Sequence, residues 1–175
     1  MHAVRRLVTT LAATALIGAG GLAVAAPASA ATCVGAGCSG RSPVGTTCAN
    51  DARTLDSFTV VSGEGATYGW VSWKVELRNS PSCAASWTRA TGKVNKVIDG
   101  GPIGITVGLG AWSRLDPSVP VHTDPTHYHA EKYVKAVKGA TFQFSTRMVS
   151  DTSIEEVRSC STAYAGSPCT PWQHM

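Results

Sequence analysis

The most regular stretch of the chain is Val71-Ser72-Trp73-Lys74-Val75-Glu76-Leu77-Arg78, where apolar and polar residues alternate without a break. Side chains of an extended strand point alternately to its two faces. The pattern therefore predicts a strand with Val71, Trp73, Val75 and Leu77 on a buried face and its polar residues on the other. Asn79-Ser80-Pro81-Ser82 has turn composition, and Cys83, Ala85 and Trp87 alternate again. Together they predict a hairpin whose return strand turns Trp87 inward to pack against Trp73. Glu76, Arg78 and Arg89 then fall on the exposed face, placed to pair across the hairpin.

Weaker patterns predict strands at 57–61, 93–98, 103–109, 133–137 and 140–149. The glycines of Ile103-Gly104-Ile105-Thr106-Val107-Gly108-Leu109 imply close backbone approach or a bulge. Ala140, Phe142, Phe144 and Met148 form one apolar set, preceded by a hairpin turn at Lys138-Gly139. Residues 116–126, with three prolines and two aspartates, read as a long loop, and residues 31–47 as an irregular arm rich in Gly, Ser and Cys. Short strands at this spacing define an all-β fold, a small barrel or sandwich with a disulfide-stapled N-terminal arm.

Residues 1–30 differ in kind. Arg5-Arg6 precedes an apolar run from Leu7 to Ala26, and Ala28-Ser29-Ala30 is a small-x-small exit. This is the layout of a signal peptide cleaved after Ala30, with no membrane attachment afterwards. The expected mature chain is a single secreted domain, 31–175. Two of the 15 basic residues and none of the 11 acidic ones precede residue 31, leaving that domain at +2. So small and dispersed a charge argues against a nucleic-acid partner.

All six cysteines, Cys33, Cys38, Cys48, Cys83, Cys160 and Cys169, follow the export signal. An even count in that setting implies disulfides. Sequence does not choose among the pairings. Proximity favours Cys33 with Cys38, Cys48 with Cys83, and Cys160 with Cys169; a Cys38–Cys48 link would overturn this pattern. The chain has no C-x-x-C pair, the spacing common to zinc and redox sites.

The run from Val75 to Arg89, with Asn79-Ser80-Pro81-Ser82-Cys83 and Trp87 inside it, resembles the signature of a secreted bacterial family known as domain of unknown function 2690 (DUF2690). Cys33, Cys38-Ser39-Gly40, Pro43, Cys48 and Asp51-Ala52 resemble its opening. Met148-Val149, Cys160 and Cys169 resemble its close more loosely. Asn79 stands where many relatives carry Tyr, and Ser86 where they carry Ala. The resemblance implies a secreted, disulfide-bearing β domain with no assigned activity. Some relatives carry such a domain outside a membrane span with a helix-turn-helix region inside, which hints at extracellular sensing or binding.

Candidate chemistry is sparse. His122, His127 and His129 are the candidate metal ligands; the last two share a strand face, and imidazole pairs suit zinc or copper. A polar loop carrying chance histidines is the simpler reading, and no cofactor is expected. Neither G-x-S-x-G nor H-E-x-x-H occurs, and the carboxylates are scattered, so no enzyme is expected. Trp70, Trp112 and Tyr128, with Tyr133 and Trp172, exceed what one small core needs. Trp70 falls on the face opposite Trp73. Exposed aromatics on a rigid sheet make a contact platform. The function expected is therefore binding or structural, toward an extracellular protein or cell-wall glycan. A secreted protease inhibitor is the alternative, ahead of a metal-binding or hydrolytic protein. The sequence does not give the oligomeric state.

Overall fold

The computed structural model describes residues 32–62, 71–97, 104–118, 125–153, 155–162 and 168–175. Two antiparallel sheets pack face to face, and the described residues contain no α-helix. Of the two architectures left open by the sequence, the chain adopts the sandwich.

The first sheet holds β1 (Arg53–Ser62), β2 (Val71–Ser80), β3 (Ala85–Val94) and β6 (Thr141–Ser145) in that order, and the short β7 (Val149–Ser150) also pairs with β3. The second has the order β5–β4–β8–β9, from β4 (Gly104–Leu115), β5 (Thr126–Lys135), β8 (Glu155–Ser161) and β9 (Gln173–His174).

β2 buries Val71, Trp73, Val75 and Leu77, as its alternation requires. The first three pack with Val107 and Leu109 of β4, Val134 of β5, Ala90, Val94 and Phe142 in the main core, and Leu77 packs with Ala111, Val149 and Val157 in a second cluster. Gly92 leaves room there: a Cβ on it would lie 2.7 Å from Trp73 Cβ and would run into the Phe142 ring. The core is not wholly apolar. Thr88 Oγ1 lies 2.6 Å from the Gly110 carbonyl and 2.7 Å from Ser159 Oγ, so one hydroxyl joins the two sheets. Donating to the carbonyl and accepting from the serine satisfies it, which burial demands.

Trp87 is on the wrong side for the expected packing against Trp73. The β2–β3 register pairs Leu77 with Thr88 and Arg78 with Trp87, which puts Thr88 in the core and Trp87 on the outer face. Trp87 is still buried, because the N-terminal arm lies over it. Met148 departs from Phe142 and Phe144 in the same way and packs with Trp87 and Cys33, Cys38, Cys48 and Cys83. The arm has two tight 3-10 turns, Gly35–Cys38 and Thr47–Ala49. It is pinned by Gly40 N–H to the Met148 carbonyl (2.9 Å) and Met148 N–H to the Arg41 carbonyl (2.8 Å).

Other boundaries shift too. The strand expected at 93–98 is the end of β3, which stops at Val94. β5 begins at Thr126, the last residue of the expected long loop, and ends at Lys135, so the strand expected at 133–137 overlaps the close of a longer one. The segment 140–149 is interrupted between β6 and β7. Gly139, at φ 84°, does turn the chain, but between strands of different sheets rather than within a hairpin. Across the hairpin, Arg89 Nη2 pairs with Glu76 Oε2 at 2.7 Å, and Glu76 is 7% exposed rather than open to solvent. Arg78 turns instead to the Ala52 carbonyl (2.6 Å) and Thr54 Oγ1 (2.7 Å).

Candidate functional site

The outer face of the second sheet gathers the aromatic and cationic residues. On β4 the outward positions include Gly104, Thr106, Gly108, Gly110, Trp112 and Arg114, because Val107, Leu109 and Ala111 fill the core. Register sets His127 of β5 on one side of Trp112 and Arg158 of β8 on the other. The His127 ring stacks on the indole with centroids 4.5 Å apart, and His129 meets it edge-on at 5.9 Å. The Arg158 guanidinium lies 5.6 Å from the Trp112 ring and 4.4 Å from that of Trp172. Arg114 lies 4.2 Å over Trp172. The result is a row of rings and cations across β5, β4 and β8 and the residue just before β9, an arrangement favoured by the negative face of each indole.

A chain of polar contacts borders the row. Arg114 Nη2 meets Glu156 Oε2 at 2.6 Å; the other Glu156 oxygen lies 2.8 Å from His174 Nε2, and His174 Nδ1 lies 3.0 Å from Asp116 Oδ2. Hydrogen bonds from Ser118, with His174 nearby, hold the Asp116 carboxyl below its ordinary value. Arg114 is thus neutralised, whereas Arg158 is not. Among the described residues its guanidinium has rings for neighbours and no carboxylate, and its Nε is buried without an acceptor. Burial, then repulsion by Arg114, draw its pKa down.

Glycine is needed beneath this row. A Cβ on Gly110 would lie 2.9 Å from Trp112 Nε1, so the indole lies flat on the sheet only because position 110 has no side chain. At Gly108 a Cβ would strike Thr162 Oγ1.

The expected site residues are divided. Trp112, His127 and His129 converge on this face. Tyr128 lies on the other face of β5, packing beside Ala111 and Val157, with its hydroxyl 3.3 Å from Ser39 Oγ of the arm. Trp70 and His122 lie outside the described residues. The His127 and His129 rings are 5.1 Å apart, but among the described residues no third donor joins them. Arg114 and Arg158 supply the guanidinium groups stacked on its rings and are missing from the sequence reading. Arg158 belongs to β8, whose core-facing residues are Val157, Ser159 and Ser161, so no apolar alternation marks it as a strand.

The cysteines lie elsewhere. Cys33 bonds Cys38, Cys48 bonds Cys83, and Cys160 bonds Cys169. The first two bonds lie under the arm, on the outer face of the first sheet, and the third bridges β8 to the C-terminal segment.

Fold and face together define a disulfide-bonded β-sandwich domain with one aromatic–cationic sheet face. The family model "Protein of unknown function (DUF2690)" matches residues 36–160, and the chain belongs to that family. No curated protein and no solved structure matches it.

Proposed function

We propose that this is a secreted, non-enzymatic binding domain, released by cleavage after Ala30, whose contact surface is the outer face of the β5–β4–β8–β9 sheet. Its ligand is an anionic cell-surface polymer, one bearing carboxylates or phosphates on a glycan or wall backbone. The observation carrying this reading is Arg158, a guanidinium fixed between Trp112 and Trp172 without an anionic partner among the described residues. A planar cation already ordered by stacking loses little entropy on meeting a carboxylate or phosphate, and its fork geometry suits both. Arg114, turned to Glu156, adds register rather than net charge. Three disulfides support an oxidising, extracellular setting.

The test is retention on purified cell-wall material at low and high salt. Wild-type protein is expected to be retained and eluted by salt. Arg158→Ala should lose most retention, about tenfold in affinity for a charge-assisted contact of roughly 1.5 kcal/mol. Complete flow-through of the wild type, or retention unchanged in Arg158→Ala and Trp112→Ala, sinks the reading.

A further inference from the structure

Two of the three disulfides share one small volume. The Sγ atoms of Cys33, Cys38, Cys48 and Cys83 all lie within 4.8 Å of one another, and those of Cys33 and Cys48, which are not bonded together, are 3.8 Å apart. Four thiolates around zinc, each about 2.3 Å from the metal, occupy a tetrahedron whose edges are roughly 3.8 Å. The Cys33–Cys48 separation is therefore already that of a zinc tetrathiolate edge, and every other sulfur pair across the two bonds lies within 4.8 Å. The two bonded edges must open, and breaking an S–S bond opens them because unbonded sulfurs separate to contact distance.

Three of the four ligands come from tight turns, and Cys33 lies just before the first of them. Cys38 ends the first turn of the arm, Cys48 lies in the second, and Cys83 ends the turn Pro81–Cys83 between β2 and β3. Convergence of separate turns explains why no C-x-x-C spacing marks the set. All four are buried, at 8% exposure or less, among Ala85, Trp87 and Met148, and no carboxylate or imidazole among the described residues joins the cluster, which suits a soft cation. A tetrathiolate zinc carries two net negative charges.

We infer that in the reduced chain Cys33, Cys38, Cys48 and Cys83 bind one zinc ion, and that oxidation converts this site to the two disulfides with release of the metal. Reduction of both bonds takes four electrons and four protons, supplied by two equivalents of a dithiol. Zinc then displaces the four protons. In reverse, two equivalents of a small-molecule disulfide each accept two electrons from a pair of thiolates. Two protein disulfides form, four small thiols leave with four protons from solvent, and Zn2+ is set free. The metal would hold the arm over Trp87 before any bond has formed, keeping the four sulfurs together for oxidation.

The experiment uses the purified protein carrying Cys160→Ser and Cys169→Ser, so that these four are its only thiols. After anaerobic reduction by a phosphine, cobalt(II) is added and the visible spectrum read, with circular dichroism followed in parallel. The expected result is one cobalt per chain with the charge-transfer and d–d bands of a tetrahedral tetrathiolate, displaced by zinc. Oxidised glutathione should then release one zinc per four thiols consumed. Cys33→Ser should lose the tetrathiolate spectrum. The inference is overturned by a reduced chain that keeps its β signal yet binds no cobalt. It is equally overturned by a β signal lost on reduction that zinc does not restore, or by an unchanged spectrum in Cys33→Ser.

Discussion

Replacing Asp151 by Asn should stabilise the protein at neutral pH. Asp151 follows β7 and is 4% exposed at one end of the sandwich core. One of its carboxylate oxygens, Oδ2, accepts from Asn79 Nδ2 at 2.8 Å and from the Ser86 hydroxyl. Burial outweighs these bonds, and the negative charge of Glu155 acts in the same direction, so the carboxyl is pushed up from 3.8 to about 6. The folded chain then holds this proton more tightly than the unfolded chain does. The contribution to stability is full below about pH 3.8 and is lost as pH rises through about 6. At about 1.4 kcal/mol per unit, the loss above pH 6 is of order 3 kcal/mol. Asp151→Asn is neutral at every pH and keeps an oxygen to accept from Asn79 and Ser86. Urea unfolding with disulfides intact, followed by tryptophan fluorescence from pH 4 to 8, measures both proteins. Asp51, Glu76 and Asp116, whose carboxyls are lowered, act in the opposite sense, but they are common to both and cancel in the difference. The variant should exceed wild type by up to about 3 kcal/mol at pH 7 and by little near pH 4. A difference that is the same at both ends, or that grows toward acid, refutes the reasoning.

Three further outcomes follow from the packing. Removing the Cys48–Cys83 bond, which spans 35 residues, with paired alanines should cost roughly 4 kcal/mol in the chain-entropy account; urea unfolding reads it, and an unchanged midpoint would show that the arm is anchored without it. Gly92→Ala should cost about 1–3 kcal/mol, since its methyl meets Trp73 and Phe142 inside a filled core; the melting temperature decides. Ala84 is held at φ 43°, ψ 55°, so Ala84→Gly should raise stability by about 1 kcal/mol, and a fall would show that this conformation carries no strain.

What was legible in the sequence follows from what side-chain patterns encode. The alternation of β2 reports that one face is buried, and it is. The alternation of Cys83, Ala85 and Trp87 reports burial just as truly, but not by what: these residues lie under the arm, in a second small core outside the sandwich. Conversely, Thr88, Ser86, Ser159 and Ser161 face the interior and read as polar. Their hydroxyls find partners such as the Gly110 carbonyl and Asp151, so burial leaves no apolar trace. The family resemblance, carried by Cys38-Ser39-Gly40, Cys48 and the hairpin from Val75 to Arg89, agrees with the family to which the chain belongs. Trp112, His127 and His129 were visible as residue types. Their junction with Arg158 and Trp172 depends on the register of β5, β4 and β8 and on the path of the chain before β9, which no local pattern contains.

The short β9 has a consequence at the border of the second sheet. It pairs only with Glu156 and Val157 of β8. Beyond that point the backbone of β8 is capped by the segment carrying Cys169: Thr170 N–H donates to the Ser159 carbonyl at 2.8 Å, and Ser161 N–H to the Pro168 carbonyl at 3.0 Å. The Cys160–Cys169 bond staples that segment in place. Were it to open, a row of amides and carbonyls on a largely buried strand would be offered to any extended chain nearby. The bond is thus a safeguard against self-association, one that matters most where the protein is concentrated.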